Sequence, residues 1–77
     1  MKIIKQNQVH VVAVITRETL ARVTSDMLAE TLRLNPGGRM GIRAGGVIVA
    51  LAWYEHVKGK GRYVVEGREH VIRTLFA

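Results

Sequence analysis

No cysteine stands anywhere in the 77 residues, which excludes a disulfide framework and any thiolate metal site. Serine occurs once, as Ser25, followed by Asp26 on an expected helix exterior with no histidine near it in sequence. The histidines, His10, His56 and His70, stand far apart at no ligand spacing, so neither a nucleophile triad nor a metal centre is expected. Glu55 beside His56 forms no dyad, because neighbours on a strand point to opposite faces. Glycine and cation meet at Gly37-Gly38-Arg39-Met40-Gly41 and Lys58-Gly59-Lys60-Gly61, yet neither segment fits a nucleotide-binding fingerprint. Catalysis is therefore not expected, nor is a cofactor or a metal.

Long apolar runs are also missing. Val47–Tyr54 spans eight residues, far short of the roughly 18–20 that cross a bilayer. Near the start, Lys5-Gln6-Asn7-Gln8 interrupts Met1-Lys2-Ile3-Ile4, so no secretory signal core is read. The expectation is a soluble, cytoplasmic protein with no membrane partner. Acids are scarce too. From Arg33 to Arg62 the cations are Arg33, Arg39, Arg43, Lys58, Lys60 and Arg62, against Glu55 alone, within a chain of net charge +6. That surplus points to a polyanion, either nucleic acid (DNA or RNA) or an acidic protein surface.

What is present reads as one domain, residues 1–77, of the α+β class. A chain this short builds a single core with a net stability of about 3–5 kcal/mol at best. With disulfides and thiolate metal sites excluded, self-association is the support left, and a homodimer is expected.

Strands are expected at Lys2–Lys5 and Val9–Ile15, the second β-branched and apolar on both faces. Thr16 is read as the N-cap of one long helix, with Glu18 in its first turn. Leu20, Val23, Met27, Thr31 and Leu34 make its apolar stripe, and Asn35-Pro36-Gly37 ends it. A helix-turn-helix is rejected here. The stripe runs through Thr24-Ser25-Asp26, and Arg17, Arg22 and Arg33 are balanced by Glu18, Asp26 and Glu30.

Arg39–Ala44 is read as a short strand, turning at Gly45-Gly46 into a long strand over Val47–Val57. A helix competes over 47–57. Its β-branched start and the hairpin return Arg62-Tyr63-Val64-Val65 after Lys58–Gly61 favour the strand. In that hairpin Val57 would stand opposite Arg62 and His56 opposite Tyr63. Val47, Val49, Leu51 and Trp53 form one face, expected to receive the helix with Trp53 as core anchor. Ile48, Ala50, Ala52, Tyr54, Tyr63 and Val65 form the flatter face, to be covered by the last helix or by a second subunit. Gly67 is expected to end the strand, and Arg68–Phe76 to form a docked helix with Val71, Ile72, Leu75 and Phe76 on its apolar side. The order is ββαβββα, an antiparallel sheet on one long helix with a short C-terminal helix. The αβββα portion is similar in element order to double-stranded RNA-binding domains. It departs from them at the start of the last helix, where Gly67-Arg68-Glu69-His70 carries mixed charge.

The functional expectation is a small nucleic-acid-binding protein that holds phosphates through Arg39, Arg43, Lys58, Lys60 and Arg62, the last three at a β-hairpin tip. Tyr54 and Tyr63 are candidates for stacking or an interface, together with Ile48, Ala50 and Ala52. The alternative is a small adaptor or inhibitor, of phage or mobile-element type, docking on a larger protein assembly through the same basic edge.

Overall fold

The computed structural model describes all residues from Met1 to Ala77. Its strands are β1 (Lys2–Gln6), β2 (His10–Ile15), β3 (Met40–Ala44), β4 (Val47–Val57) and β5 (Lys60–Arg68). They form one antiparallel sheet in the order β1-β2-β5-β4-β3, so the last strand lies at the centre. The 47–57 segment is the strand that its β-branched start implied. Three helices, α1 (Arg17–Val23), α2 (Asp26–Leu34) and α3 (Glu69–Phe76), complete the α+β domain. No helix is long and apolar enough to cross a membrane.

The helical segment after β2 is two helices where the apolar stripe implied one. Thr16 caps α1 as expected, its hydroxyl accepting from the Thr19 amide at 3.1 Å. Ser25 starts a second helix, accepting from the Leu28 amide at 3.1 Å. Thr24 closes the first by donating from its hydroxyl to the Leu20 carbonyl at 2.8 Å. Two consecutive hydroxyl-bearing residues, Thr24 and Ser25, thus offer caps that outcompete one helical turn. The break gives α2 a new direction. Leu20 on α1 and Ala29 and Leu32 on α2 are buried, while Met27 and Leu34, expected in the core, lie outside.

Both tight hairpins use two-residue turns with positive φ, at Gly45-Gly46 (59° and 80°) and Lys58-Gly59 (53° and 79°). That geometry matches the twist of the flanking strands. The β4–β5 loop is therefore two residues shorter than Lys58–Gly61, and the register pairs Val57 with Lys60 and Tyr54 with Tyr63. A slip of two keeps the residues paired between β4 and β5 on their expected faces, whereas a slip of one would have inverted them.

All three helices cover the flatter face. Ala50, Ala52, Tyr63 and Val65 share one core with Val11, Ala13, Ile15, Leu20, Ala29, Leu32, Ile72 and Phe76. Small residues on the strands admit large ones from the helices. The Trp53 face, expected to receive the helix, carries none. Val12 and Val14 on that side remain half-buried rather than covered. Gly67 does not end β5 but lies buried within it, beneath α3. A Cβ there would approach the Val49 carbonyl to 3.0 Å and Ile72 Cδ1 to 3.2 Å. A bulge in β4 beside Ile42 and Arg43 breaks the alternation and lays Ile48 across Gly41 on the helix-free side.

Candidate nucleic-acid interface

Charge divides cleanly between the two layers. The helices carry Arg17, Arg22, Arg33 and Arg73 against Glu18, Asp26, Glu30 and Glu69, a net of zero. The strands and their connections hold Lys2, Lys5, Arg39, Arg43, Lys58, Lys60, Arg62 and Arg68 against Glu55 and Glu66, which is the whole +6. Strand register then places Lys2, Lys5, Lys60, Arg62 and Arg68 on the face without helices. Arg39, Gly41 and Arg43 alternate onto the same face at the β3 edge.

The centre of that face is locked by a chain of contacts. Arg62 donates from Nε to Glu55 Oε2 at 2.8 Å. Glu55 Oε1 accepts from Trp53 Nε1 at 2.7 Å. The Arg39 guanidinium lies 4.2 Å from the Trp53 ring centroid, a cation–π arrangement. Arg39 also reaches Glu66 Oε1 at 3.4 Å, and Glu66 Oε2 is 3.2 Å from His10 Nε2. Donation from Trp53 and Arg62 holds the Glu55 carboxyl below the usual carboxylate range, against the opposing pull of burial. Trp53 is thus buried beneath Arg39 rather than facing a helix, and its ring is not open to a base.

The rim is free. Lys2, Lys5, Arg43, Lys58, Lys60 and Arg68 have no carboxylate partner, and each is exposed. Arg43 bonds only to the Gly46 carbonyl, at 3.0 Å. Lys58 and Lys60 stand at one end of the sheet, Arg43 and Arg68 towards the other, and Lys2 and Lys5 along the β1 edge. Lys58 occupies the left-handed region, where a residue with a side chain pays about 1–2 kcal/mol.

Of the five cations expected at the site, Arg43, Lys58 and Lys60 are unpaired, whereas Arg39 and Arg62 are each held by a glutamate. Arg39 lies nearer the Lys58 end, as expected, since Met40 pairs with Ala52. The other group divides differently. Ala50, Ala52 and Tyr63 are core residues under the chain's own helices, so they present no intersubunit face. Tyr63 donates to the Ala29 carbonyl at 2.9 Å, and burial raises its phenol above the ordinary value. Tyr54, half-buried, meets Tyr63 edge-on at 4.8 Å between centroids. Its hydroxyl lies over Gly61, where a Cβ would collide with it. Ile48 alone of that group is exposed on the helix-free face. Lys2, Lys5 and Arg68 were absent from the expected site. Alternation along β1 and β5 carried the signal, but the pairing of β5 with β2 was needed to read it.

Comparison of the chain with protein-family models, with curated proteins and with solved structures gives no match.

Proposed function

We propose that the protein binds nucleic acid, DNA or RNA, by laying its helix-free sheet face against the phosphate backbone. The observation that carries this reading is the partition of charge, with neutral helices on one side and the full surplus on the other. Lys2, Lys5, Arg43, Lys58, Lys60 and Arg68 are the phosphate contacts, and between them Arg39 and Arg62 are neutralised by Glu66 and Glu55. Such contacts are electrostatic and tolerant of sequence.

Fluorescence anisotropy of a labelled duplex DNA and a single-stranded RNA, titrated at several salt concentrations, tests the proposal. Six phosphate contacts give a slope of log K against log salt near −5 on duplex DNA, at about −0.9 per contact. A flat response on both probes refutes it.

A second reading draws on the middle of the same face. Ile48, Leu51, Val12 and Val14 lie there inside a basic rim, the anatomy of a protein-docking patch. An adaptor or inhibitor seated on an acidic protein would use it in that way. Pull-down after nuclease treatment separates the two, because only a protein partner survives the nuclease.

A further inference from the structure

We infer that the outward ridge of α2 joins two copies of this chain back to back, so that one dimer bridges two segments of nucleic acid. The bridging rests on the function proposed above, whereas the pairing does not.

α2 buries Ala29 and Leu32. On its opposite pole Met27, Thr31 and Leu34 succeed one another at i, i+4 and i+7, one row along the helix. Met27 is 77% exposed and Leu34 63%. The Thr31 hydroxyl donates to the Met27 carbonyl at 2.9 Å, which turns its polar atom into the helix and leaves its methyl outward. Two turns, roughly 10 Å of helix, are thus apolar on the side where a surface helix is ordinarily polar.

Charge identifies the occupant as a second copy. Two sheet faces, each bearing the full surplus, repel one another, but two helix layers of zero net charge do not. Beside the ridge stands the ion pair of Glu30 with Arg33, and Arg33 holds the Glu30 carboxyl below its usual range. Across a two-fold axis with antiparallel α2 helices, Met27 meets the partner's Leu34. The acid and the base of each copy then face the base and the acid of the other, the self-complementarity that an isologous interface requires. An acidic or basic foreign partner gains nothing from so neutral a flank.

All three helices lie on one side of the sheet, and α2 turns this ridge away from it. Pairing there leaves the two basic faces on opposite outer sides of the dimer, where they grip separate segments. Two helical turns per copy are small for a stable interface, so the dimer forms reversibly with concentration.

The test compares wild type with Leu34→Glu and Met27→Lys by sedimentation velocity from about 1 to 500 μM. The variants are also assayed by anisotropy on a short duplex that fits one face. Bridging is read as capture of a fluorescent duplex on beads bearing a second, biotinylated duplex. The expected result is a wild-type dimer at high concentration and monomeric variants with unchanged melting. One-duplex affinity stays within about twofold, and bead capture falls at least tenfold. A wild type that remains monomeric, or variants that still dimerise, overturns the pairing whatever the duplex binding. A dimer that binds one duplex without capturing a second overturns the back-to-back arrangement. A dimer that binds neither the duplex nor the single-stranded RNA overturns the proposed function, and bridging with it, while the pairing stands.

Discussion

Reversing Lys58 and Lys60 together to glutamate tests whether rim cations contact phosphate. Neither lysine has a carboxylate partner, so the substitution breaks no ion pair within the fold. Each lost contact lowers the salt slope by about 0.9. At 0.15 M salt it removes a counterion-release factor of about 5 in affinity. Two contacts therefore cost about 25-fold, with a slope less steep by about 2, and the added negative charge increases the loss. Lys2→Glu with Lys5→Glu should match it on the β1 edge. Arg22→Glu with Arg73→Glu changes net charge by the same amount on the helix side and should cost less than threefold. Anisotropy on a short duplex at four salt concentrations gives both affinity and slope. Equal losses from the rim and helix-side pairs would mean that only overall charge matters, and the argument for a binding face would fail.

Three further outcomes rest on the packing. Tyr63→Phe removes a buried donor to the Ala29 carbonyl and costs about 1 kcal/mol, a fall of roughly 4–8 °C in Tm; an unchanged melt would refute the bond. Gly67→Ala places a Cβ 3.0 Å from the Val49 carbonyl. Crowding of about 1–3 kcal/mol then exceeds the roughly 0.4–1 kcal/mol gained by stiffening the unfolded chain, and urea unfolding should show net loss. The Glu55 carboxyl is depressed in the fold, so its stabilising contribution is present above its unfolded value of about 4.3 and is lost as pH falls through the lower folded value. Trp53 is the sole tryptophan, and its fluorescence should report that step as pH falls beneath the ordinary carboxylate range; the same titration in Glu55→Gln would refute the assignment.

Strand positions were legible because β-branched residues and glycine turns act over short range. The meander of β3, β4 and β5 and the existence of each strand were readable from Val47-Ile48-Val49, Gly45-Gly46 and Lys58-Gly59. The choice of face was not legible. Val49, Leu51 and Trp53 are larger than Ala50 and Ala52, and size suggested the buried side. Yet a sheet that receives three helices needs room, and the room comes from alanine and from Gly67. Trp53 finds its cover differently, from the aliphatic stem and guanidinium of Arg39 and from Glu55. The Arg39 contact depends on the neighbouring segment and its register, whereas Glu55 lies two residues further along the same strand. At the site, Lys58 and Lys60 were visible as a tip, but Lys2, Lys5 and Arg68 join them only once β5 enters between β2 and β4.

The break at Thr24-Ser25 connects the misread long helix with the surfaces that matter. In an unbroken helix Leu20, Val23, Met27, Thr31 and Leu34 would lie on one line, and burying Leu20 would bury Met27 and Leu34 as well. Capping by Ser25 rotates α2 about its axis relative to α1, so Ala29 and Leu32 take the inward positions. Ala29, being small, lets α2 come close enough for its carbonyl to accept from Tyr63. The larger residues of the stripe are left on the outer pole. The same break sets Arg17 beside Asp26 at 3.0 Å, so a cation and an anion from the two helices cancel where they meet. Local capping chemistry thus gives the helix layer its apolar ridge. The sheet, with Glu55 and Glu66 committed to Arg62 and Arg39, is left to display the positive charge.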